Sequence, residues 1–187
     1  MSQARFATLQ DLFDSFPSAS ADIGDSEQGM RSMDFLRAVV GKREWQAAVS
    51  FCAYYLPRRA AVAWACRSIR RIVPSLGADE ERMLEFAEAW VEEPIEPRRR
   101  KALASGTVGD TKSPTTWAAL AAGWSGGSIV PEDMGHVAAD PEQTAKAVRA
   151  ALLIALSRLQ GEAKHRIMAL CCQDGIELAS GHQASSR

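Results

Sequence analysis

Histidine, cysteine and long apolar runs are all scarce in this chain. Only three histidines and four cysteines occur among 187 residues. The histidines are His136, His165 and His182, and their spacing assembles no dyad with a serine or cysteine, so nucleophilic catalysis has no visible framework. The cysteines, Cys52, Cys66, Cys171 and Cys172, contain no CxxC pair. Adjacent Cys171 and Cys172 point about 100° apart on a helix and cannot readily bridge. Cys52 and Cys66 fall on apolar stripes, where a thiol behaves as a small hydrophobe. The expectation is therefore reduced thiols, a cytoplasmic protein and no disulfide. On the last helix His165, Met168 and Cys172 share a face, but four tetrahedral ligands at zinc-site spacing are absent, so neither metal nor cofactor is expected. The N-terminus lacks the apolar stretch of a signal peptide, and the longest apolar run, Ala150 to Leu156, is far short of a membrane span. A net charge of −1 gives no reason to expect nucleic acid or an anionic membrane as partner.

Alternation at a period of two is also missing. Almost every periodic segment repeats at 3.6, which predicts an all-α fold. The composition, 47% hydrophobic and 24% charged, suits a globular domain. The spacing predicts seven to nine helices in an irregular multi-helix bundle, or a short α-solenoid of stacked hairpins. Residues 1–29 read as a flexible N-terminal arm with one short helix, residues 30–179 as a single all-α domain, and residues 180–187 as a disordered tail. Punctuation is clear in places. Ser113-Pro114 is a helix start, Pro94 a stop, and Asp140-Pro141-Glu142-Gln143 a capping arrangement. Asp79 is expected to cap the acidic helix that follows it.

The charge is segregated along the chain. Between Trp45 and Ala78 there are five arginines and no acidic residue, whereas Asp79 to Glu96 holds eight acidic residues and only Arg82 as a base. These segments are expected to meet. Within the basic segment, Val62, Ala65, Cys66, Ile69, Ile72 and Val73 form one apolar stripe. Trp64 falls on the opposite side with Arg67 and Arg71, and Tyr54 lies off the stripe of the preceding helix. Two readings follow: Trp64 anchors a partner, or it locks a helix that is buried on two sides. Trp, Tyr and Arg are the types enriched at binding hot spots, which favours Trp64, Arg67, Arg71 and Tyr54 as a partner-binding surface. Trp124 with the Gly126-Gly127 turn forms a lesser second region. Those glycines follow a helix rather than opening one, so they read as a turn and not a phosphate cradle. Glu81, Glu85, Glu88 and Glu92 read as a solvated or arginine-paired face rather than an acid–base site.

The segments CAYYLPRRAAVAWACRSIR, FAEAWVEEP, SPTTWAALAAGWSGGSIVPED and TAKAVRAALLIALSRL, in that order, resemble an uncharacterised bacterial family known only as a domain of unknown function. The likeness spans Asp34 to Ala179 and is carried by LPRR-AV-WAC and W-ALA--WSGGS. It departs from the family pattern at Ala60, usually acidic, and at Ala63, usually tryptophan. Members of that family are often encoded beside type VI secretion and forkhead-associated-domain genes. The resemblance thus implies a non-enzymatic adaptor or chaperone-like accessory of a secretion system, with a secretion component as protein partner. The alternative is an immunity protein that binds a toxin; an enzyme of undefined chemistry comes last.

Overall fold

The computed structural model describes residues 5–24 and 29–181. It is 71% helical, with ten α-helices and no strand among the described residues. The all-α expectation holds. The helix count exceeds the expected nine because a Ser/Asp-rich stretch expected to be linker contains a five-residue helix.

The chain divides into two compact units, residues 1–57 with 161–187, and residues 58–160. A single domain over 30–179 does not match this division. The boundary falls at Pro57, which cannot continue a helix and starts the next one.

The first unit contains α1 (Leu9–Ser15), α2 (Ala19–Ile23), α3 (Ser32–Gly41), α4 (Trp45–Tyr55) and α10 (Gly161–Gly181). The N-terminal segment is not a loose arm: Leu9, Leu12, Phe16, Ala19 and Ile23 are buried. A capping box starts α1, with the Thr8 hydroxyl accepting from the Asp11 amide and the Asp11 carboxylate accepting from the Thr8 amide. Part of the expected linker, residues 25–28, lies outside the described residues, as does the tail from residue 182. Helix α4 is the centre of this unit, packed against α2, α3 and α10. Ala48 through Tyr55 are buried without interruption, because a helix apolar on every side has no solvent face to offer. Phe51 stacks on Tyr55 with centroids 5.1 Å apart, and Phe16 lies 5.7 Å from Tyr54.

The second unit contains α5 (Arg58–Ile72), α6 (Ala78–Glu92), α7 (Glu96–Thr107), α8 (Pro114–Gly123) and α9 (Gln143–Ser157). Its centre is α8, which packs against α5, α6, α7 and α9. Apart from Trp117, every residue of α8 is buried. Small side chains make this crowding feasible: a Cβ on Gly106 of α7 would stand 2.9 Å from the Leu120 amide, and one on Gly123 would stand 2.7 Å from Leu103 Cα. The two glycines let α7 and α8 approach backbone to backbone. Ser113 and Pro114 start α8 as expected. At α6 the start is Gly77 rather than Asp79, and Glu80 turns back to accept from the Gly77 amide at 3.3 Å. At α9 the Gln143 side chain accepts from the Asp140 amide, the expected back-bond, although the helix begins only at Gln143 itself.

Candidate functional site

Most of the arginines in the Trp45–Ala78 segment and in a second basic run, Arg98 to Lys101, are structural. A helix leaves its last carbonyls unpaired, and cationic side chains there satisfy both the hydrogen bonds and the dipole. Arg59 donates to the Val91 and Glu92 carbonyls at 2.6 and 3.0 Å, and Arg98 donates to Ala89 at 2.7 Å, closing α6. Arg58 donates to the Ser125 carbonyl at 2.9 Å, just past the end of α8. Arg99, only 4% exposed, donates to the Gly123 and Ser128 carbonyls and forms a two-pronged pair with Glu96 at 2.6 and 2.7 Å. Arg100 donates to Val130 at 2.6 Å. Arg70 grips both oxygens of Glu88 at 2.6 and 2.7 Å and reaches Glu81 at 2.8 Å. The basic and acidic segments therefore do meet, through Arg70.

Arg67 is the exception. It is exposed, and no hydrogen bond or ion pair joins it to another described residue. It borders an open groove of about 390 Å3 along α5 and α6, lined by Ala63, Cys66, Arg67, Glu88, Val91 and Glu92. Cys66 is fully buried at its floor, and Ala63 and Val91 are half-buried along it. On the far wall Glu88 is held by Arg70, whereas Glu92 is mostly exposed and stands 4.0 Å from Arg98, whose guanidinium holds Glu93 at 2.7 Å. The groove combines small apolar side chains with an open cation, Arg67, and an exposed carboxylate, Glu92.

The other sequence-predicted residues do not join this surface. Trp64 is fully buried. Helix α5 packs against α6, α8 and α9, so its second face is covered and the tryptophan locks helices rather than anchoring a partner. Tyr54 is buried in the other unit; its hydroxyl donates to the Asp22 carboxylate at 2.7 Å, so its apparently polar side is a hydrogen-bonded core side. Arg71 is exposed on α5. Trp124 is half-buried at the end of α8, and its carbonyl accepts from the Thr144 hydroxyl at 3.1 Å. Gly126 has open space where a Cβ would stand, whereas Gly127 adopts a left-handed φ of 62°. That turn is held on either side by Arg58 at the Ser125 carbonyl and by Arg99 at the Ser128 carbonyl. Glu88, Val91, Glu92 and Ala63 were not named from sequence as lining anything. The acidic face of α6 and the gap left by alanine at position 63 were the available signals, but pairing them required the helix docking.

A second recess of about 410 Å3 is bordered by Glu80, Met83, Ser105, Asp110, Ser113 and Thr116, among others. Its polar atoms are largely spent within the fold. Ser113 and Arg158 both donate to Glu80 Oε1, at 2.7 and 3.1 Å, and Thr116 donates to the Met83 sulfur at 3.4 Å. The thiols are also poorly suited to chemistry. Burial pushes the Cys66 thiol far above its ordinary range, with Glu88 adding to it; burial and then neighbouring Cys172 do the same to Cys52. Among the described residues no group of three or more His, Cys, Asp and Glu side chains is placed to hold a metal ion, and no helix is long and apolar enough to cross a membrane.

No curated protein and no solved structure matches the chain. A family model, described as a family of unknown function, DUF6931, matches residues 35–179. That span contains all of the second unit, including the groove, and most of α3, α4 and α10. By this match the chain belongs to the DUF6931 family.

Proposed function

We propose that the chain is a non-enzymatic protein-binding module that works through the α5–α6 groove. The observation that carries this reading is Arg67. Six arginines of the two basic runs are bonded within the fold, and Arg67 is left solvated beside an apolar floor. Arginine beside apolar surface is the composition that binding hot spots favour. The consumption of the other arginines also weighs against a basic track for nucleic acid. The family resemblance adds the context, a cytoplasmic adaptor or chaperone-like accessory of a bacterial type VI secretion system.

The test is affinity capture from the native host with the wild-type chain and with Arg67→Glu, which reverses the charge of the groove's open cation. A secretion-system component retained by wild type and lost by the variant supports the reading. A toxin in its place supports the immunity-protein alternative. Identical capture by both proteins overturns the groove.

A further inference from the structure

We infer that the loop joining α8 to α9 is a preformed docking tip, which inserts Met134 and Val137 into an apolar pocket of a partner protein rimmed by Lys or Arg. The inference does not depend on the α5–α6 groove. Three observations carry it. First, anchoring: the connection covers residues 124–142, beyond the ~12–15 residues past which a loop is ordinarily either functional or loose. This one is tied down. Arg58 donates to the carbonyls of Ser125 and Pro141, at 2.9 and 3.4 Å, and so clasps its two ends together. Arg99 and Arg100 hold the Ser128 and Val130 carbonyls at 2.8 and 2.6 Å. Within the loop the Ile129 amide donates to the Val137 carbonyl at 2.8 Å, and the buried Ser128 hydroxyl accepts from the Val137 amide at 3.2 Å. A base fixed in advance leaves little ordering cost to be met on binding.

Second, exposure: the side chains that this base holds out to solvent are apolar. Met134 is 69% exposed and Val137 47%. Closing the loop requires neither, since polar turn residues do so equally well. A thioether on a flexible stem adapts to a pocket of irregular shape. Third, charge: between Lys112 and Lys146 the chain has no Lys or Arg and four acids, Glu132, Asp133, Asp140 and Glu142. Glu142 is engaged by Lys146 at 2.7 Å, but Asp133 and Asp140 are exposed and form no ion pair with another described residue. The three arginines that touch the loop are bonded to carbonyls at its base, so the tip carries acid without Lys or Arg. Apolar side chains flanked by open carboxylates are repelled by anionic lipid and by nucleic acid. They complement a protein pocket with a basic rim.

The experiment places the photocrosslinking residue p-benzoylphenylalanine at position 134 of the full chain, expressed in the native host, and at position 108 as a control. Val108 is 84% exposed in the same unit but lies between α7 and α8. Adducts are mapped to the residue by mass spectrometry. Their yield is compared in the double variant Asp133→Lys with Asp140→Lys and in Arg67→Glu, each checked by thermal unfolding. The expected result is a protein adduct from position 134 and not from 108, at an apolar site flanked by Lys or Arg. The double charge reversal is expected to cut its yield about tenfold, and Arg67→Glu to leave it unchanged. With the partner purified, Met134→Asp in the otherwise native chain is expected to weaken binding by about tenfold or more. An adduct indifferent to the charge reversal, or mapped to an acidic site, overturns the stated chemistry. An adduct with a second copy of the chain, with lipid or with nucleic acid, or no adduct at all, overturns the partner. Loss of the adduct in Arg67→Glu moves the contact to the groove and overturns the loop as a separate surface. An adduct that persists when Arg67→Glu alters no capture leaves the loop standing and only the groove reading fallen.

Discussion

The guanidinium of Arg99 lies against Gly127: a Cβ on that glycine would stand 2.8 Å from Nη2. Neither group has room to retreat. Gly127 holds a left-handed φ of 62°, and Arg99 is fixed by Glu96 and by the carbonyls of Gly123 and Ser128. Gly127→Ala is therefore expected to destabilise by about 2 kcal/mol, backbone strain and steric contact together. Arg99→Ala is expected to cost more, about 3 kcal/mol, since it strands the buried carbonyls of Gly123 and Ser128. Urea unfolding followed by tryptophan emission checks both, because Trp64, Trp90, Trp117 and Trp124 all lie in the unit concerned. Equal stability of Gly127→Ala and wild type would remove Arg99 as the reason for the glycine.

Gly123 and Gly106 make a sharper test of packing. Replacing a helical glycine by alanine ordinarily stabilises by about 1 kcal/mol. Here the added methyl of Gly123→Ala meets Leu103 Cα at 2.7 Å, a backbone atom that cannot rotate away. The expected result is the opposite sign, a loss of about 2–3 kcal/mol as α7 is pushed from α8. Denaturant midpoints for Gly123→Ala and Gly106→Ala decide it.

Tyr54 and Asp22 link the N-terminal helices to α4, and Tyr54→Phe is expected to cost about 1 kcal/mol through loss of the 2.7 Å hydrogen bond. Deletion of residues 1–24 is expected to be far more damaging, because it uncovers the aromatic contacts of Phe6 and Phe16 with Tyr55 and Tyr54. Thermal unfolding by circular dichroism separates the two effects. A truncated chain that melts like the full one would return this segment to the status of an arm.

The elements easiest to read from sequence were those set by local chemistry. Ser113-Pro114 and the Gln143 back-bond depend on neighbours within a turn, and both occur where the pattern places them. The apolar stripe of α5 was legible for the same reason. Trp64 and Tyr54 misled because an amphipathic plot assumes one buried face, and α4 and α5 each have more than one. A residue off the stripe is then merely on a second interface. The roles of Arg58, Arg59 and Arg99 were illegible because their acceptors are backbone carbonyls 24 to 83 positions away, which no side-chain pattern marks. The groove was half legible: Arg67 was singled out, but its apolar floor and the engagement of Glu88 depend on how α6 docks.

Acid should loosen the second unit at two carboxylates. Arg99 holds the Glu96 carboxyl below its ordinary range, outweighing the burial that pushes it up. At Glu80 burial pushes the pKa up, but Ser113, Arg158 and the Gly77 amide together outweigh it and the net shift is downward. A lowered folded-state pKa contributes stability that is present above the unfolded value and lost as pH falls through the folded one. Stability is thus expected to fall below about pH 4.5, by under about 1 kcal/mol for each group given their partial exposure. Glu96→Gln should be less stable than wild type at neutral pH and lose less on acidification. An unchanged acid slope in both Glu96→Gln and Glu80→Gln would place the acid sensitivity elsewhere.

Alkali should act with the opposite sign through the thiols. Burial, then neighbouring Cys171, pushes the Cys172 thiol up to about 12 from an ordinary 9.0, and burial raises Cys52 and Cys66 as well. Above pH 9 the unfolded chain ionises these thiols and the folded chain does not, so the unfolded state gains. Stability is expected to be level below that pH and to decline towards pH 12, by up to about 1.4 kcal/mol per pH unit for each thiol. Urea unfolding at pH 8, 9.5 and 10.5 measures the slope, and Cys172→Ala should remove its share of it. In the native state all four buried thiols should resist a thiol reagent at pH 8 and react fully in denaturant. Rapid native labelling of any of them would show that its helix opens far more readily than its packing implies.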